Sequence, residues 1–139
     1  WKISPPDNVS PPDTDMHALP RSQFEDLVRE ALEGLPEEFL ARLDNVDVVV
    51  EDKPTAEQLG ENGIGPDGTL FGLYEGIPLT ERHDYSLVVP DKITIFQRPL
   101  EQECETQEEL IAEVQATVVH EVAHFFGIDD EALKDMGLA

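Results

Sequence analysis

The stretch that most limits what this chain can become is "TQEELIAEVQATVVHEVAHFFG", residues 106–127. Thr106 can cap a helix, and Glu109 three residues on would complete a capping box. Ile111, Val114, Val118, Val122 and Phe125 then recur at helical spacing. Gly127 is a natural stop, so the spacing predicts a helix of about five turns ending at Phe126. Its apolar face must be buried, and the chain upstream offers strands to bury it against. "VDVVVED" (46–52) is rich in β-branched residues, and "LFGLYEGIP" (70–78) carries a Gly72 that points to an edge or a bulge. "KITIFQRPL" (92–100) alternates Ile93, Ile95 and Gln97 against Thr94 and Phe96. "TAEQLGENGIGPDGT" (55–69) is turn-rich with room for one helical turn, and "ERHDYSLVVPD" (81–91) is a loop with room for a short strand.

Before the strands, "RSQFEDLVREALEGLPEEFLARLDN" predicts a helix with Ser22 and Glu25 as its capping box and Phe24, Leu27, Val28, Ala31 and Leu32 on its apolar face. Gly34 and Pro36 end it, and a second short helix carries Phe39, Leu40 and Leu43. "DDEALKDMG" is a last short helix. The order is helices, three or four strands, then a long helix. This is an α+β chain, with a small mixed three- to four-stranded sheet packed on the long helix. Residues 1–20 differ in kind: they hold five of the eleven prolines and two copies of "SPPD". Such a segment favours extended structure, and two short copies are too few for a repeat architecture. The expected organisation is a proline-rich arm or linker over 1–20 and one domain over 21–139, a length that buries a modest core.

With 40% apolar residues the chain can fold, and no run of 18 or more apolar residues could cross a bilayer. The formal net charge of −22 argues against nucleic acid, whose binding depends on cationic side chains, and against an anionic membrane surface. Such a field serves solubility and attracts cations. The N-terminus is proline-rich rather than basic then apolar, so no signal peptide is visible, while Trp1 leaves room for an upstream segment. A cytoplasmic location is the default expectation. Cys104 is the only cysteine, which excludes an intrachain disulfide and a thiolate cluster. Any metal must then be held by histidine and carboxylate.

Two of the four histidines, His120 and His124, lie four apart on the long helix and so share one face. Two imidazoles so placed can meet one zinc ion at about 2.0–2.1 Å. Glu121, turned by roughly 100° from His120, can lie beside the metal without binding it, as a general base for water. A catalytic zinc needs a third protein ligand. Only 15 residues follow His124, which excludes a glutamate from a distant downstream helix. Gly127 can turn the chain back so that Asp130 reaches the same ion. Asp129 is expected to cap the last helix, with Asp129 and His83 as competing ligands. The pattern His120-Glu121-x-x-His124-x-x-Gly127-x-x-Asp130 is far more specific than its first five positions, which this composition yields by chance in roughly one chain in a hundred. Met136 stands six residues beyond Asp130, where core packing is the first reading. His17 and His83 are expected in solvent, and Cys104 as a small packed group.

These residues resemble the small bacterial zincin-like metallopeptidases, sometimes called minimal metzincins. The resemblance covers roughly residues 21–138. It rests on "FEDLVREALEGLPEEF", "LDNVDVVVEDKP", "GLYEGIPLTER", "ITIFQRPL" and above all "HEVAHFFGIDDEALKDMG". It implies a short mixed sheet over an active-site helix, with His120, His124 and Asp130 as zinc ligands and Glu121 as the catalytic glutamate. In the metzincin group a methionine turn lies beneath the metal, and Met136 is the candidate for that place. The expected activity is zinc-dependent hydrolysis of a peptide or protein substrate. The alternative is a catalytically silent zinc-binding regulatory or interaction protein, which the chain's small size and scant material for a substrate cleft favour. A peptide could lie along the 69–75 strand or the 84–89 stretch, and Tyr85 is a weak candidate for stabilising an oxyanion. The acidic arm, with Asp7, Asp13, Asp15 and His17, could reach and block the metal.

Overall fold

A computed structural model describes residues 2–3, 19–43, 46–65, 68–76 and 91–135. Among them, four strands form one mixed sheet. Strand β1 (Lys2–Ile3) and β2 (Val46–Glu51) are parallel, as are β2 and β4 (Asp91–Phe96), and β3 (Gly72–Glu75) runs antiparallel to β4. The spatial order is β1-β2-β4-β3, so β3 is an edge strand, as Gly72 foretold. Helices α1 (Arg21–Glu33) and α5 (Gln107–Phe126) pack on one face. The shorter helices are α2 (Glu37–Leu40), α3 (Ala56–Glu61), α4 (Gln97–Glu103) and α6 (Asp130–Asp135). The architecture is the α+β arrangement expected.

Period-two burial decides the core. Val46, Val48 and Val50 on β2 and Ile93 and Ile95 on β4 share a face, with Val48 opposite Ile93 and Val50 opposite Ile95. They meet Phe24, Val28 and Leu32 of α1 and Val114, Val118, Val122 and Phe125 of α5 in one cluster. Each such side chain stabilises the fold by about 1.5–3 kcal/mol on full burial. Leu73 and Thr94 pair across β3 and β4 on the opposite face, where the Thr94 hydroxyl is buried without a hydrogen-bond partner among the described residues.

Three local expectations are corrected. Helix α1 is capped by Pro20, whose carbonyl accepts from the N–H groups of Gln23 and Phe24, and Ser22 makes no cap. Arg21 is drawn inward by Gln97 Oε1, the Val50 carbonyl and Asp52 Oδ1, and Glu25 is buried, so long-range contacts override the local box. The strand expected over 92–100 stops at Phe96, because Gln97 opens α4. Pro99 lies in the first turn of that helix, where its missing N–H leaves no bond unmade, and Arg98 N–H donates to the Asp52 carbonyl at 2.9 Å. The box expected at the start of α5 is half formed: Thr106 Oγ1 accepts from Glu109 N–H, but the Glu109 carboxylate reaches Glu105 N–H at 2.8 Å instead of Thr106. A reciprocal box does close α3, between Thr55 and Gln58, and its Thr-x-x-Gln signal was available in the sequence.

Helix α5 ends as its glycine requires. Gly127 takes φ +73°, and the N–H groups of Gly127 and Ile128 return to the His124 and Ala123 carbonyls at 3.0 and 2.8 Å. Asp129 then caps α6, accepting from Ala132 N–H at 2.8 Å, as expected.

Candidate metal centre

Helix α5 is a wall of the core on one side and carries the site on another. His120 and His124 come together there, with ring centroids 4.4 Å apart. Glu121 joins them: its Oε1 lies 3.2 Å from His124 Nδ1. One donor atom from each of the three residues falls within 4.8 Å of the others. Their exposure is graded. His124 is open to solvent and His120 half-buried, whereas Glu121 keeps only 4% of its surface.

Strand β3 causes that burial. A Cβ on Gly72 would sit 2.8 Å from Thr117 Cγ2 and 2.9 Å from Glu121 Cγ, so only glycine lets the strand press this close to α5. Antiparallel pairing sets what the strand then offers. Phe96 N–H bonds to the Phe71 carbonyl, so the alternation puts Leu73 in the next hydrogen-bonded pair and turns the N–H groups of Gly72 and Tyr74 to the outer edge. The Tyr74 N–H donates to the Glu121 carboxylate. Burial pushes Glu121 from its ordinary value of 4.5 up to about 7, partly opposed by His120 and by the Tyr74 N–H.

Between β3 and α5 lies a cleft of about 480 Å³. His120, Glu121 and His124 line one part of it, and Leu70, Phe71 and Ala116 supply apolar wall. The expected shortage of cleft material is thus corrected: the cleft is assembled from segments 45 residues or so apart in sequence.

The two imidazoles suit zinc, and a cation held between them would relieve the buried charge of the neighbouring Glu121, whose carboxylate lies within 4.8 Å of their donor atoms. Asp130 is the first residue of α6, directly after the turn at Gly127, and its side chain lies outside the described residues. So do His17, His83, Tyr85, Met136 and the 84–89 stretch. The Asp129 cap engages one of that residue's oxygens, which weakens it as a competing ligand. Cys104 is buried, and burial followed by Glu113, Glu109 and Glu103 pushes its thiol up, away from nucleophile chemistry. Sequence reasoning missed Tyr74: a main-chain donor leaves no signature in side-chain spacing. Gly72 was singled out as an edge or bulge, not as the point of closest approach to Glu121.

No helix among the described residues is long and apolar enough to cross a membrane. No curated protein matches the chain. Residues 43–138 match the model of a family described as zincin-like metallopeptidase, a span that runs from just before β2 past the end of α6 and takes in His120, Glu121 and His124. That is more than half of the chain, and the chain belongs to the zincin-like metallopeptidase family.

Proposed function

We propose that this protein is a zinc-dependent peptidase in which His120, His124 and Asp130 hold the metal and Glu121 is the general base. Bound zinc would supply Lewis acidity toward a carbonyl oxygen and toward water. Glu121 takes a proton from the water that attacks the scissile carbonyl carbon. As the carbon–nitrogen bond breaks, it passes that proton to the departing amine. The observation that carries the reading is the placement of Glu121, which is held inside the cleft beside both imidazoles at an electrostatic cost to the fold. A silent metal site would need no such carboxylate.

Strand β3 is the preferred platform for an extended peptide, because it is an edge strand that borders the cleft. Leu70, Phe71 and Ala116 favour an apolar side chain there. The narrower assignment to minimal metzincins depends on Asp130 as third ligand and on Met136 beneath it, and substitution of each tests it. The deciding experiment compares zinc-loaded wild type with Glu121→Ala carrying equal zinc on an unbiased peptide library. Cleavage that disappears in the variant is expected. Equal zinc with no cleavage by either protein would turn the reading to a silent zinc-binding regulator.

A further inference from the structure

Tyr74 touches the site with its backbone and something else with its ring. The phenol O–H donates to Asp91 Oδ1 at 2.6 Å, and Asp91 is only 2% exposed. The same ring packs edge-on against Phe125 with centroids 5.9 Å apart, one helical turn beyond Glu121. Two glycines flank this arrangement. Gly72 makes room for Glu121, as described. Gly76 makes room for the pair: its φ is +151°, and a Cβ there would lie 2.8 Å from Tyr74 Oη and closer still to Asp91 Oδ1. The strand between them is thus pinned at its ring end while its N–H is held against the Glu121 carboxylate.

We propose that Tyr74 and Asp91 form a positioning pair for Glu121: the phenol–carboxylate bond fixes the register of β3 against α5, and the Tyr74 N–H transmits that position to the catalytic carboxylate. The inference rests on Glu121 as general base for its catalytic meaning, but its structural content stands apart. A carboxylate held by one main-chain donor has a single favoured orientation, whereas an unheld one samples rotamers that point away from the attacking water. Geometry of this kind acts on the chemical step and leaves substrate binding little changed.

The test uses isotope-labelled, metal-free full chain and reads amide hydrogen exchange at residue 74, with no substrate needed. In Tyr74→Phe the ring stays against Phe125 and only the phenol is lost. Exchange at residue 74 should rise about tenfold, while Val118 and Val122 in the core keep wild-type protection. Asp91→Asn keeps an oxygen that can accept from the phenol and should stay within about twofold of wild type. Unchanged exchange in Tyr74→Phe overturns the proposal. So does loss of protection at Val118 and Val122 together with residue 74, which would mark a general packing role. On a cleaved peptide from the library, zinc-loaded Tyr74→Phe should lose kcat with KM nearly constant, and Asp91→Asn should recover most of it. A wild type that cuts nothing would remove the peptidase reading and leave the exchange result to decide the pair by itself.

Discussion

Glu121→Gln should make the metal-free protein more stable while removing the carboxylate proposed as general base. The carboxylate is driven from 4.5 to about 7 chiefly by burial. Each pH unit between folded and unfolded values corresponds to about 1.4 kcal/mol, so the ionised group costs the apoprotein about 3 kcal/mol. The sign follows from the direction. The folded value is the higher one, so no penalty exists below about pH 4.5, it grows as pH rises, and it is fully present above about 7. Glutamine has the same shape and no charge. Its oxygen can accept from Tyr74 N–H, and its amide can donate to His124 Nδ1, now 3.2 Å from the carboxylate. Urea denaturation of both proteins in chelator at pH 5 and pH 8.5 measures the effect. The variant should exceed wild type by about 3 kcal/mol at pH 8.5, with most of that gap gone at pH 5. A variant less stable than wild type at pH 8.5 would refute the reasoning, because it would mean that the buried carboxylate is a net stabilising partner rather than a burden. Zinc should reverse the ranking in part, since a cation favours the ionised form that only wild type has.

Gly72→Ala should cost about 1–3 kcal/mol in urea denaturation, because its Cβ meets Thr117 and Glu121 at under 3.0 Å, and on a cleaved peptide it should lower kcat as β3 is pushed away. Thr94→Val should raise stability by about 1 kcal/mol in the same assay, since it removes a buried hydroxyl that has no partner among the described residues. Gly127→Ala should lower stability by about 1 kcal/mol through the φ of +73°, and should weaken zinc affinity measured by chelator competition if the turn delivers Asp130 to the metal.

Some elements could be read from local pattern and some could not. The extent of α5, its stop at Gly127, the β-branched run of β2 and the pairing of His120 with His124 each depend on spacing within one element. The cap at Ser22 failed because Arg21 answers to Gln97, Val50 and Asp52, which are 29 to 76 residues away. The overshoot at residues 97–100 has the same origin: an alternating run does not reveal that Arg98 N–H meets the Asp52 carbonyl and that Pro99 suits a first helical turn. The candidate ligands and base on α5 were legible, but the cleft was not. It arises where β3 crosses α5, and neither the burial of Glu121 nor its main-chain donor follows from the residues around it in the sequence.

Helix α5 has one more consequence. Val114, Val118, Val122 and Phe125 bind it into the apolar cluster with α1, β2 and β4. The two candidate histidine ligands therefore ride on a helix that should be among the last parts of the molecule to open. The metal is a guest in a finished room. Unlike small domains that collapse when their ion is removed, this one should survive chelation folded and take back a divalent cation without refolding. Its activity would then follow the free zinc around it, as a reversible dial set by supply.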